Sequence, residues 1–240
     1  MGMFSEGGVT YSAGIDLHAS NNPFVELLKM VGSGKRVLEV GPGSGHVTKQ
    51  LTLQGCTVTC VEKDKNMAEM AKSFCDQMIV GDIESDTIRR QFPTERFDVV
   101  TFGDVLEHLR DPVEVLTRVK PLIAPTGYLV ASIPNVAHRS LRLSLLFGEF
   151  DYGDMGLLDR THLRFFTIRT IEKMMDESGF QIVDMVRIRD ASLMDTILRR
   201  TASWGKRALL EVVKVFFRGL IRGEALTYQF VIKAIPIPAV

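Results

Sequence analysis

The chain has 240 residues, enough to bury one well-cored domain without calling for a second. Lysine plus arginine equals aspartate plus glutamate at 29 each, so no overall field selects nucleic acid, an acidic substrate or a membrane surface. Cys56, Cys60 and Cys75 are odd in number, lack a CxxC pair and lie among apolar residues, which argues against a disulfide framework or a zinc site and predicts reduced core cysteines in a cytoplasmic protein. No basic-then-apolar leader opens the chain, and Gly or charge breaks every apolar run before the ~20 residues of a spanning helix.

Residues 1–22 are rich in Gly, Ser and Asn and read as a flexible or substrate-covering arm, followed by a helix at Pro23–Val31. Apolar runs bounded by turn signals then predict strands at Arg36–Val40, Thr57–Glu62, Gln77–Val80, Phe97–Phe102 and Tyr128–Ile133. Amphipathic stretches at His46–Gln54, Lys65–Phe74, Val113–Leu122 and Thr167–Ser178 are long enough to be crossover helices, so the alternation predicts a doubly wound α/β fold with a parallel sheet covered on both faces. The tail breaks the rhythm with a strand at Gln181–Ile188, a helical region at Leu193–Ile221 and an antiparallel edge strand at Leu226–Ile235. One domain is therefore expected: arm and helix over 1–34, a ligand-binding core over 35–190 with a lid at 136–166, a helical insertion over 191–225 and a closing strand over 226–240.

The segment VLEVGPGSGHVT, Val37–Thr48, reads as a strand, a glycine-rich turn and a helix start. Gly41, Gly43 and Gly45 allow a sharp turn close to a ligand, and the N–H groups of the following helix point at it. Pro42 donates no hydrogen bond and GxGxG lacks the third glycine of the GxGxxG dinucleotide fingerprint, which weighs against a nicotinamide cofactor and an oxidoreductase. Glu39 would repel a pyrophosphate and welcome the ammonium of a methionine moiety. Glu62, ending the next strand, is placed to accept both hydroxyls of a ribose, and Asp82 in VGDI could accept from an adenine amino group while Ile83 packs on the ring. Each acid alone could be an ordinary strand-end residue; their succession at strand ends is what points to one ligand.

VLEVGPGSG, CVEKD, VGDI and FDVVTFGDVLEHL resemble the successive motifs of class I S-adenosylmethionine methyltransferases, over about residues 35–190. The stretch SIPNVAHRSLRLSLLFGEFDYGDMGLLDRTHLRFFT is similar to bacterial methyltransferases of glycan and surface-polysaccharide biosynthesis, grouped with the ubiquinone-pathway O-methyltransferases. The resemblance implies a seven-stranded sheet in the order 3-2-1-4-5-7-6 and S-adenosylmethionine as cofactor. It assigns the methionine end to Glu39 and Gly41 within the Pro42, Gly43 and Gly45 turn, the ribose to Glu62 beside Lys63, the adenine to Asp82 and Ile83, and a carbonyl contact to Gly103. Asp104, Glu107 and His108 stand at i, i+3 and i+4, which on a helix would place three potential ligands along one face, although Asp104 could as easily precede the helix and cap it. The resemblance raises a divalent metal at these positions; the expectation is that no metal binds and that His108 lines the methionine pocket.

A methyl acceptor must meet the carboxyl edge of the sheet, in the loops after Phe102 and Ile133. His162 in DRTHLRFF, with Asp159 and Arg164 nearby, is the preferred base or acceptor-orienting group, against a role in fixing the lid on the helix from Thr167; His108 is the second catalytic candidate. His138 reads as a reserve, more simply a solvent-exposed loop histidine. Arg139, Arg142 and Arg164, among Leu141, Leu143, Phe147, Phe150 and Tyr152, could bind a phosphate or carboxylate or flank the lid in solvent. The basic amphipathic stretch 198–222 could rest on an anionic membrane, cover the sheet or make a dimer contact. The sum is O-methylation of a small-molecule, glycan or lipid-linked acceptor. C- or N-methylation and a non-catalytic cofactor-binding protein of the same fold stand as alternatives.

Overall fold

The computed structural model of the chain describes residues 21–85, 91–92, 96–189 and 223–238. The expected arm, apart from Asn21 and Asn22, and the helical, membrane-facing stretch within 193–222 lie outside the described residues. In chain order the elements are α1 (Pro23–Val31), β1 (Arg36–Val40), α2 (His46–Leu53), β2 (Thr57–Glu62), α3 (Lys65–Ala71), β3 (Gln77–Val80) and β4 (Phe97–Gly103). There follow α4 (Pro112–Val119), β5 (Ile123–Pro134), α5 (Arg139–Leu146), α6 (Ile168–Glu177), β6 (Phe180–Arg189) and β7 (Thr227–Pro236).

Local chemistry sets the helix starts. Asn22 accepts from the N–H groups of Phe24 and Val25, and Pro23 follows at the first helical position, where its missing N–H costs nothing. Thr167 and Thr170 form a reciprocal capping box that opens α6. These helices are too short to persist alone, so packing decides them: Leu27, Leu28 and Val31 are fully buried, each worth about 1.5–3 kcal/mol.

The strands form one seven-stranded sheet in the order β3-β2-β1-β4-β5-β7-β6. Period-two alternation sends Val37 and Leu38 to opposite faces. Leu38 joins Leu116 of α4 and Ile171 of α6 on one side, while Val37 joins Leu28 of α1 and Leu51 of α2 on the other. Both faces are thus covered, as the near-continuous apolar strands require. Strands β1 to β5 are mutually parallel; β7 runs antiparallel to both β5 and β6. The expected closing strand is therefore antiparallel but not at the edge. Its Phe230, Val231 and Ile232 are fully buried, apolar on successive positions, and so belong inside the sheet with β6 outside them. The chain leaves β1 toward β2 on one side and returns through β4 on the other, so a crevice opens beyond the carboxyl ends of β1 and β4.

Candidate active site

The turn after β1 carries Gly41, Gly43 and Gly45 at φ of 67°, 55° and 86°, the left-handed region where a side chain is strained. At Gly45 a Cβ would lie 2.9 Å from the Ala71 Cα, so the missing side chain lets the turn lie against α3. At Gly43 nothing lies within 4 Å of such a position, and the turn faces an open recess.

Two recesses flank the turn. One, of about 370 Å³, is lined by Gly41, Gly43, Glu62, Lys63, Asp82 and Ile83, and continues to Asp104, Val105, His108 and Thr161. The other, of about 250 Å³, is lined by Glu39, Gly41, Pro42, Gly43, Gly103 and Asp104. Every residue of the sequence-derived cofactor set except Gly45 lines one or both; Gly45 serves the turn through its packing on α3.

The Glu62 carboxylate is held by two backbone donors, the Gly43 N–H at 3.1 Å to Oε2 and the Asp64 N–H at 2.9 Å to Oε1. Each oxygen keeps a further lone pair for a ligand. Burial pushes the Glu39 carboxyl up to about 7, although the Thr48 hydroxyl and the Cys60 thiol hydrogen-bond to it. Burial also raises the Asp104 carboxyl, against hydrogen bonds from the Ser132 hydroxyl, at 2.7 Å, and from the Gln229 side-chain amide. Asp104 sits at φ 54°, a strained position that Ser132 and Gln229 hold in place. The 250 Å³ recess is thus lined by two poorly solvated carboxyl groups, Glu39 and Asp104. Thr48, not singled out in the sequence, and Cys60, read there only as a core cysteine, are the partners of Glu39; Cys56, Cys60 and Cys75 are all free thiols.

Asp104, Glu107 and His108 do not share a helix face. Asp104 precedes a single 3₁₀ turn, Leu106–His108, and does not cap it. Among the described residues, the groups whose ligand atoms lie within 4.8 Å of one another are Glu107, His108 and His162. The metal set that the resemblance raised is not brought together: Asp104, whose Oδ1 accepts from Ser132 and Gln229, stands outside that group.

The two catalytic candidates meet edge to face, with ring centroids 4.8 Å apart. His108 lines the larger recess; His162 lies behind it, against Glu107, Leu157 and Phe166. Burial, then the nearby His108, lowers the His162 pKa. His162 does not fix α6, which Thr167 caps. Glu107 is 1 % exposed, neither carboxyl oxygen is hydrogen-bonded among the described residues, and burial followed by Asp104 pushes its pKa well up, which favours the neutral form. Its backbone carbonyl accepts from the N–H groups of Leu163 and Arg164 at 2.8 and 2.9 Å, which fastens the lid to the His108 turn.

His138 is fully buried, not solvent-exposed: it caps α5 and stacks edge-on against Tyr228. Arg139 is also buried, whereas Arg164 is exposed and donates to the Arg110 carbonyl.

The chain matches the family model described as a methyltransferase domain over residues 20–185. It is 31% identical over 166 residues to a ubiquinone biosynthesis O-methyltransferase of Psychrobacter arcticus, a match covering 64% of this chain and 62% of that one. The chain thus spans less than two thirds of that relative's length. A protein of the same name from Coxiella burnetii is 26% identical over 161 residues, covering 65% and 67%. Among solved structures, a SAM-dependent methyltransferase of Archaeoglobus fulgidus superposes with a TM-score of 0.61 at 17% identity over 83% of this chain and 85% of that one. The magnesium protoporphyrin IX methyltransferase of Synechocystis, solved with bound SAH, gives 0.55 at 14% over 85% and 75%. The chain belongs to the methyltransferase-domain family, within the class I S-adenosylmethionine-dependent methyltransferases.

Proposed function

We propose that the chain transfers the methyl group of S-adenosylmethionine to an oxygen of a small-molecule or glycan-type acceptor, including one carried on a lipid, in the cytoplasm. The carrying observation is the pair of recesses joined at Gly41, Gly43 and Asp104. The chemistry of the lining fits the cofactor. The larger recess takes the nucleoside, with Glu62 accepting from the ribose hydroxyls, Lys63 at its rim, and Asp82 and Ile83 at the adenine. The smaller takes the amino-acid end, where Glu39 and Asp104 meet its ammonium and the backbone of Gly41 and Gly103 comes close.

The cofactor supplies a methyl group already activated on a cationic sulfur, so the chain must position an acceptor and remove a proton. His108 is the group in the larger recess suited to the proton, with His162 supporting it from behind. The O-methyltransferase names of the relatives favour oxygen. From His162, ring contacts run through Phe165 to the exposed Phe150 and Tyr152, a path that suits an acceptor with an aromatic or apolar part.

Calorimetric titration with S-adenosylhomocysteine, with NAD as control, tests the reading. S-adenosylhomocysteine alone should bind, and Glu62→Ala should weaken it roughly tenfold or more through lost charge-assisted hydrogen bonds. Binding of NAD alone would overturn it. On an acceptor found by screening, His108→Ala should cut turnover about a hundredfold; unchanged turnover would remove His108 as the base.

A further inference from the structure

Building on the assignment of His108 as proton acceptor, we propose that Asp159 and Thr161 of the lid are positioning residues that fix which ring nitrogen of His108 carries hydrogen. The Thr161 hydroxyl donates to Asp159 Oδ1 at 2.6 Å, and the Thr161 N–H donates to the same oxygen at 2.7 Å. Burial would raise the Asp159 carboxyl, but these two bonds, together with the nearby His162 and His108, hold it below its usual range, so it is an anion that only accepts. With its proton committed to Asp159, the Thr161 oxygen meets His108 Nδ1, 3.1 Å away, as an acceptor. The Thr161 carbonyl, 3.2 Å from the same nitrogen, can also only accept.

Both neighbours of Nδ1 are acceptors, so Nδ1 carries the hydrogen and Nε2 keeps the lone pair that a base needs. The acceptor hydroxyl gives its proton to Nε2 as its oxygen bonds to the methyl carbon and the carbon–sulfur electron pair stays on sulfur. The imidazolium so formed keeps its Nδ1–H on Thr161, which leans on the Asp159 charge. The other groups facing His108 are Asp104 before its turn, its neighbour Glu107, and His162 from the lid. Burial favours the neutral form of Glu107, Asp104 Oδ1 is bound to Ser132 and Gln229, and Thr161 is the hydrogen-bond partner of Nδ1 among the described residues. The bonds from Leu163 and Arg164 to the Glu107 carbonyl hold this part of the lid on the His108 turn without using either side chain.

Nitrogen-resolved NMR of the histidine rings tests this on the full 240-residue chain, whose five histidines allow the His108 signal to be assigned with His108→Gln. Wild type should show His108 mainly in the Nδ1–H form. Thr161→Val should move the majority to the Nε2–H form, Asp159→Asn should move it part of the way, and Thr161→Ser should keep the wild-type form. An Nε2–H majority in wild type, or a tautomer indifferent to both Thr161→Val and Asp159→Asn, overturns the inference. The turnover of His108→Ala judges the base assignment separately, so the two can fail independently.

Discussion

Burial raises Glu39 from an ordinary 4.5 to about 7, and the sign of that shift makes two predictions. Between those values the folded chain keeps a proton that the unfolded chain releases. Stability of the free protein should therefore fall as pH rises from 4.5 to 7, by on the order of 3 kcal/mol from this group. Bound S-adenosylhomocysteine brings an ammonium group to the recess and favours the ionised carboxylate. Its affinity should therefore weaken as pH falls through about 7, with proton release on binding visible as a buffer-dependent heat. Glu39→Gln should melt higher than wild type at pH 8 without ligand and lose most of the stabilisation that ligand gives. A variant that kept full ligand stabilisation would remove Glu39 from the site. The sequence marks Glu39 as a carboxylate beneath the turn but not its titration, which depends on Thr48, Cys60 and the depth of the sheet.

The turn after β1 separates two uses of glycine within one element. Gly45→Ala must push a Cβ against the backbone of α3 at 2.9 Å while strained at φ 86°, so it should cost about 2 kcal/mol or more in denaturant unfolding. Gly43→Ala meets open space and should cost about 1 kcal/mol, yet weaken S-adenosylhomocysteine roughly tenfold by filling the recess. Equal effects on stability would contradict this division. The strands and the four crossover helices were legible because their apolar periods face a two-sided core. Helix α5 was not, because it buries Leu141 but leaves Leu145 and Leu146 exposed, so its apolar residues do not mark one buried face. The 3₁₀ turn that sets Glu107 and His108 beside the lid was also hidden, since i, i+3, i+4 spacing reads as an α-helix until the left-handed Asp104 interrupts it. In DRT, an acid two residues before a threonine is an Asx-turn signature that could have drawn attention to Asp159 and Thr161.

At the scale of the whole molecule, Asn135 joins three regions that are distant in sequence. Fully buried at the carboxyl end of β5, it donates to the carbonyls of Glu224 and Thr227 at 2.9 and 2.7 Å and accepts from Ala137 at the start of the lid. Asn135→Ala strands two carbonyls and should lower stability by roughly 2 kcal/mol or more, read by thermal or denaturant unfolding. A near-neutral result would show that the β7 entry is held by strand pairing alone. The order β5-β7-β6 also separates when β6 is made from when it can be used. As the chain leaves the ribosome, β6 emerges with no neighbour to pair with and must wait until Thr227–Pro236 follows, seconds later at roughly 5–20 residues per second. Throughout that interval the sheet ends at an open β5, and Ser132 and Gln229 cannot yet meet at Asp104. The strand that completes the sheet also completes the support of Asp104 in the pocket, so a nascent chain stalled before it should hold S-adenosylmethionine more weakly than the finished chain.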